Sequence, residues 1–151
     1  MKRLFSIVLI FLLILSVTLP LSASATAVDK TVIYFPDGSS LTTTISILDS
    51  RATNTRIGNK EYIYSDPAGE PLWMAVLTGN FSYNGFTAYC GSASCEFTIY
   101  NNAYSVTSES TTKVGATATA EWTMIKKFLG VTVETQNHTL TLTCDKDGNL
   151  S

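Results

Sequence analysis

The sequence predicts an all-β chain: a single-domain antiparallel β-sandwich, immunoglobulin-like, after an N-terminal signal peptide. Three observations carry this. Apolar residues beyond the leader alternate instead of recurring at helical spacing. The same region holds 21 Thr, a β-branched residue suited to a pleated, half-solvated surface. Turn-forming Gly, Pro, Asn and Asp recur at short intervals and divide the chain into about eight to ten short strands, the pattern of a sandwich. Of the 151 residues 45% are hydrophobic and 15% charged, which excludes a disordered chain. A domain of about 126 residues buries about two thirds of its unfolded surface, enough for one core.

The leader comes first. Met1-Lys2-Arg3 is a short basic start, Leu4 to Leu19 is an uncharged apolar run, and Pro20 ends it. Ala23-Ser24-Ala25 then places small residues at the −3 and −1 positions of a signal-peptidase site, and Ala25-Thr26-Ala27 offers a second. Residues 1–25 therefore read as a signal peptide and 26–151 as the β-sandwich domain, with cleavage after Ala25 or Ala27. No Cys lies near the cut and no second hydrophobic stretch follows. The expectation is a secreted, extracellular protein with no stable membrane anchor after cleavage.

Strands follow in order. Thr31 to Phe35 is a short strand ended by Pro36-Asp37-Gly38, and Leu41 to Leu48 alternates Thr and Ser with Ile. Asp49 to Asn59 is polar and reads as a loop. Lys60 to Ser65 carries Tyr62 and Tyr64, and Asp66-Pro67-Ala68-Gly69 turns the chain. Leu72 to Tyr83 is the clearest strand, with Trp73, Ala75, Leu77, Gly79, Phe81 and Tyr83 on one face. Asn84-Gly85 suits a type I′ hairpin turn into Phe86 to Cys90. Cys95 to Tyr100 is the next strand, Asn101-Asn102 a turn, and Tyr104 to Val114 a Ser/Thr-rich strand ended by Gly115. Ala116 to Phe128 reads as a long strand; the alternative, a helix over Ala116 to Leu129, is disfavoured by Thr117, Thr119 and Thr123 and by the alternation. Val131 to Cys144 closes the chain, placing His138, Leu140, Leu142 and Cys144 on one face.

Charge and motifs exclude several function classes. The formal net charge is −2, and removing Lys2 and Arg3 with the leader leaves eight basic against twelve acidic side chains. Such a balance argues against nucleic acid and against an anionic membrane surface. His138 is the only histidine, so a Ser–His–Asp triad would depend on it, and no Gly-x-Ser-x-Gly elbow accompanies it. No catalytic residue, cofactor or metal site is expected. Asp145-Lys-Asp147-Gly-Asn149 starts like a calcium loop but lacks the closing acidic residue, so a turn is the simpler reading. Glu96, Glu109, Glu121 and Glu134 fall on strands, and two of them in one cleft would be needed for glycoside hydrolysis. Tyr62, Tyr64, Tyr89, Tyr100 and Tyr104 are the binding-surface aromatics, able to stack on sugar rings or to meet a protein. Against that stands the plainer role of edge-capping residues around a core of Trp73, Phe81, Tyr83 and Trp122.

Three cysteines in an exported chain permit one disulfide and leave one thiol. Spacing leaves Cys90–Cys144, Cys90–Cys95 and Cys95–Cys144 open; loop closure would give the first about 4 kcal/mol and the second about 2 kcal/mol. Gly69-Glu-Pro-Leu-Trp73, Leu77-Thr-Gly79-Asn-Phe81-Ser-Tyr83-Asn-Gly85, Cys90, Leu140-Thr-Leu-Thr-Cys144 and Arg51-Ala-Thr-Asn54 together resemble a group of small secreted proteins of low-GC Gram-positive bacteria. That group has no assigned activity. The resemblance implies an exported β protein with Cys90 and Cys144 bridged. Cys95 departs from its pattern.

The function expected on these grounds is that of a non-catalytic binding or interaction module, acting outside the cell or at its envelope on cell-wall glycan or an extracellular protein. The alternatives are a small secreted effector or antibacterial protein and, behind it, a glutamate-dependent glycan hydrolase.

Overall fold

The computed structural model describes residues 25–48 and 54–151; residues 1–24 of the expected leader lie outside them. Eight strands follow one another: β1 (Ala25–Tyr34), β2 (Ser40–Leu48), β3 (Thr55–Ser65), β4 (Pro71–Tyr83), β5 (Ala88–Ile99), β6 (Tyr104–Val114), β7 (Thr117–Phe128) and β8 (Val131–Thr143). They form a five-stranded sheet, β1-β2-β3-β4-β5, and a three-stranded sheet, β6-β7-β8, antiparallel throughout. The sheets pack face to face as a β-sandwich. Within each sheet the strand order is a plain meander, not the Greek-key order of an immunoglobulin-like domain, because every connection inside a sheet returns the chain to the adjacent strand.

Alternation builds the core as expected. β4 buries Trp73, Ala75, Leu77, Gly79 and Phe81; facing it, β7 buries Ala118, Ala120, Trp122 and Met124, and β8 buries Leu140 and Leu142. Gly79 is required there: a Cβ at this position would stand 2.5 Å from the ring of Phe81, which folds back across its own strand. The C-terminal residues double back on β8. Thr143 and Ser151 exchange both backbone hydrogen bonds, and Leu150 fills the notch above Gly58.

Three local expectations are corrected. The strands expected at Phe86–Cys90 and Cys95–Tyr100 are one strand, β5, from Ala88 to Ile99: Gly91 is the unpaired residue at a register shift, and pairing with β4 resumes at Ser92 and continues through Ser94. The polar stretch read as a loop to Asn59 is strand from Thr55, and residues 49–53 lie outside the described residues. Asn84-Gly85 is not a two-residue type I′ turn: only Gly85 has a positive φ, and Asn84 instead accepts hydrogen bonds from the N–H groups of Phe86 and Thr87. Both central residues of the Leu129-Gly130 connection have positive φ, the type I′ signature.

Five strands lie against three, so part of the larger sheet has no opposite layer. All ten residues of β1 are exposed, and β2 buries only Leu41, Ile45 and Ser46. Two unopposed strands span ~10 Å of sheet. No helix among the described residues is long and apolar enough to cross a membrane.

Candidate functional site

The overhang creates a cleft of about 630 Å³ between the inner face of β2–β3 and the outermost strand β8. That volume lies in the range of small-molecule sites. Tyr62 and Tyr64 stand two residues apart on β3 and so share the inner face; Leu41 of β2 is the register partner of Tyr64. The β1–β2 turn contributes Phe35, Pro36, Asp37 and Ser39. Across the gap, β8 presents Glu134, Gln136 and His138 at alternate positions, with Asn137 between them. Because Gln136 and His138 register with the buried Met124 and Trp122 of β7, this row faces inward.

One wall is a fixed polar chain. Tyr64 Oη donates to Ser39 Oγ (3.1 Å), and Ser39 donates to Asp37 Oδ1 through its hydroxyl (2.6 Å) and its backbone N–H (3.0 Å). These hydrogen bonds hold the Asp37 carboxyl below its ordinary value, so it is a carboxylate across the neutral range. On the opposite wall Gln136 Nε2 donates to Glu134 Oε1.

The floor is aromatic. His138 stacks on Trp122 at 5.2 Å between centroids and meets Trp73 edge-on at 5.0 Å, while the Tyr62 ring lies 5.9 Å from His138 and 5.8 Å from Trp122. Burial lowers the His138 pKa, so the imidazole is neutral near pH 7. Trp73 Nε1, Trp122 Nε1 and His138 Nε2 are buried without a hydrogen-bond partner. Three polar nitrogens left unpaired in one ring cluster are costly, at roughly 1–3 kcal/mol each.

Of the five tyrosines singled out from the sequence, Tyr62 and Tyr64 meet in the cleft. Tyr104 does not line it; it is buried behind Tyr64 with ring centroids 6.4 Å apart, and Lys126 Nζ lies 5.5 Å from its ring centroid. Tyr89 and Tyr100 are exposed outside the cleft, the first beside Lys113 and the second against Met74. Phe35, Asp37, Ser39 and Gln136 were missed as site residues, and Glu134 was named only as one of four strand glutamates. The alternation that places His138 on the inner face extends back to Gln136 and Glu134, and Pro36-Asp37-Gly38-Ser39 was legible only as a turn.

The acidic and thiol chemistry is dispersed. Of the four strand glutamates only Glu134 lines this cleft; Glu121 borders a shallow hollow lined by Ser108, Ser110 and Thr139, and Glu96 and Glu109 are exposed beside Cys95. Cys90, Cys95 and Cys144 are free thiols in the structure. Cys90 Sγ donates to Ser92 O (3.3 Å) and Cys144 Sγ to Asp145 O (3.5 Å). The two residues nevertheless flank one turn, since Cys90 N–H donates to Gly115 O and Cys144 N–H to the next carbonyl, Ala116 O. Cys95 is separate, opposite Leu77, and burial together with Glu109 and Glu96 pushes its thiol up to about 11. The calcium-like tail is a turn: Asp145 accepts from the N–H groups of Asp147 and Asn149 and from Asn149 Nδ2. No family model, curated protein or solved structure matches the chain.

Proposed function

We propose that the mature chain is an exported, non-catalytic binding module whose ligand seats in the β3–β8 cleft. The observation that carries this is the cleft itself, where aromatic side chains (Phe35, Tyr62, Tyr64) and amide and carboxylate side chains (Gln136, Asn137, Glu134) line one space. Aromatic faces receive the apolar face of a sugar ring while amides and carboxylates bond its hydroxyls, so envelope glycan fits this lining. Binding is favoured over hydrolysis because only one of the four strand glutamates, Glu134, lines the cleft, so no two of them meet there. Export is supported by the leader pattern and by the placement of Cys90 and Cys144 on one turn. In an oxidising exterior their two thiols pass two protons and two electrons to a disulfide oxidant and join as one S–S bond.

Co-sedimentation of the mature protein with purified bacterial cell walls, beside intact host cells, tests the reading. Specific pelleting with walls that soluble glycan blocks, and that Tyr62→Ala or Tyr64→Ala weakens, is the expected result. Pelleting unaffected by both substitutions would remove the cleft from the interaction.

A second reading, a membrane-directed effector, draws on the β7–β8 hairpin tip, where Phe128, Leu129, Val131 and Val133 are 57–88% exposed. Flotation with phosphatidylcholine vesicles tests it, and Leu129→Asp abolishes binding if the tip inserts.

A further inference from the structure

We infer that the cleft selects glycans that carry free, protonated amino groups, as in a polymer of glucosamine, over their neutral N-acetylated counterparts. This rests on the binding reading above and adds a charge requirement to it.

The lining is electrically one-sided. Asp37 and Glu134 stand on opposite walls, and no Lys or Arg side chain is among the lining residues. His138, the remaining titratable base there, is kept neutral by burial. Ser39 donates twice to Asp37 Oδ1, through its N–H and its hydroxyl, and is itself held by Tyr64, so the charge is pre-placed. Lys126 borders the adjoining hollow with Asp37 and is the register partner of Glu134, so it offsets part of the field of both carboxylates; its ammonium stays outside the cleft lining, over the Tyr104 ring.

Aromatic rings add to the same preference. Tyr62, Tyr64 and Phe35 line the same cleft as the two carboxylates, and an aromatic ring attracts an ammonium that has shed part of its water. A carboxylated or phosphorylated glycan meets two like charges, with the single counter-charge, Lys126, outside the lining. A neutral glycan gains the stacking alone. An amino sugar gains the stacking and the pairing with Asp37 or Glu134.

Calorimetric titration of the mature protein with two probes of equal length tests this: a β-1,4-linked glucosamine tetramer and its fully N-acetylated form. The cationic tetramer is expected to bind about tenfold more tightly at low salt, with the advantage shrinking as salt rises. Asp37→Asn and Glu134→Gln are each expected to remove most of that advantage. Glu96→Gln, the same charge change on an exposed residue outside the cleft, is expected to leave it intact, which separates the site from the chain's overall acidity. Glu134→Gln leaves the β1–β2 turn untouched, so a folding defect in the Asp37 variant does not obscure the result. Equal affinity for the two tetramers, or a preference that Glu96→Gln reduces as much as Glu134→Gln does, overturns the inference while cleft binding stands. If neither tetramer binds, the inference falls. Tyr62-dependent pelleting with cell walls then decides whether the binding reading falls with it.

Discussion

The pairing of Cys90 with Cys144 can be tested by its effect on stability. Both residues are buried at 1% exposure or less, and their N–H groups bond to consecutive carbonyls of the β6–β7 turn, so joining them ties the five-stranded sheet to the end of the three-stranded one. A cross-link enclosing about 55 residues removes enough entropy from the unfolded chain to contribute about 4 kcal/mol. For a domain of this size the urea slope is about 1.5–2 kcal/mol/M, so oxidation is expected to raise the unfolding midpoint by about 2–3 M. The assay is a pair of urea titrations of exported protein with and without dithiothreitol, followed by Trp fluorescence. A thiol count in guanidinium without reductant accompanies it, and one reactive thiol out of three is expected. Coincident curves with three reactive thiols would refute the pairing. A peptide map linking Cys95 to either partner would refute the geometric argument, because Cys95 lies opposite Leu77 and away from that turn.

Further outcomes follow from single contacts. Gly58 and Leu150 are shape partners, since a Cβ at Gly58 would collide with Leu150 Cδ1. Leu150→Ala should cost about 2–3 kcal/mol and Gly58→Ala about 1 kcal/mol, while the double variant should lose less than the sum by more than about 0.5 kcal/mol; simple additivity in urea unfolding would separate the two sites. Trp73→Ala should cost about 3–5 kcal/mol, and an unchanged melting curve would contradict its complete burial. His138 titrates below its ordinary 6.5, so the native state binds fewer protons than the unfolded chain. Stability therefore falls as pH drops from 6.5 toward the folded-state value, and His138→Phe should flatten that limb of a pH–stability profile. Asp37 and Asp145 have lowered values, so the stability they contribute is present above 3.8 and is lost below it, in a second decline that His138→Phe leaves in place.

The parts of the fold that were legible in the sequence are those set by alternation. Trp73 through Phe81 was readable because one face of β4 is buried along its length, and the register of β3 and β5 follows from it. Gly91-Ser-Ala-Ser94 was misread for a matching reason. Small residues lower intrinsic strand preference, but a strand already paired with β4 receives its ladder from a distant segment, and tertiary pairing prevails. Asn84-Gly85 misled because Asn serves two turn chemistries: it can take a left-handed φ, or cap neighbouring N–H groups with its side chain, as it does here.

The cleft was half legible, and the missing half has one cause. Tyr62 and Tyr64 stood out as aromatics two apart, and the inward position of His138 came from the same period-two argument. Nothing local says that Asp37 of the first turn and Glu134 of the last strand face each other across a gap, because the gap exists only where five strands overlie three. Strand count per sheet is decided by which connection crosses between layers, here Tyr100 to Ala103, where the N–H groups of Tyr100 and Asn101 both bond to Leu72 O and the chain leaves β4's sheet for the other. Four residues outside the cleft lining thereby set the width of the overhang. A substitution that kept all the cleft residues but sent the chain to the next position in the first sheet would leave no site. The cleft is thus a property of topology first and of side chains second, which is why the meeting of Asp37 and Glu134 in one lining had no counterpart in composition or motif.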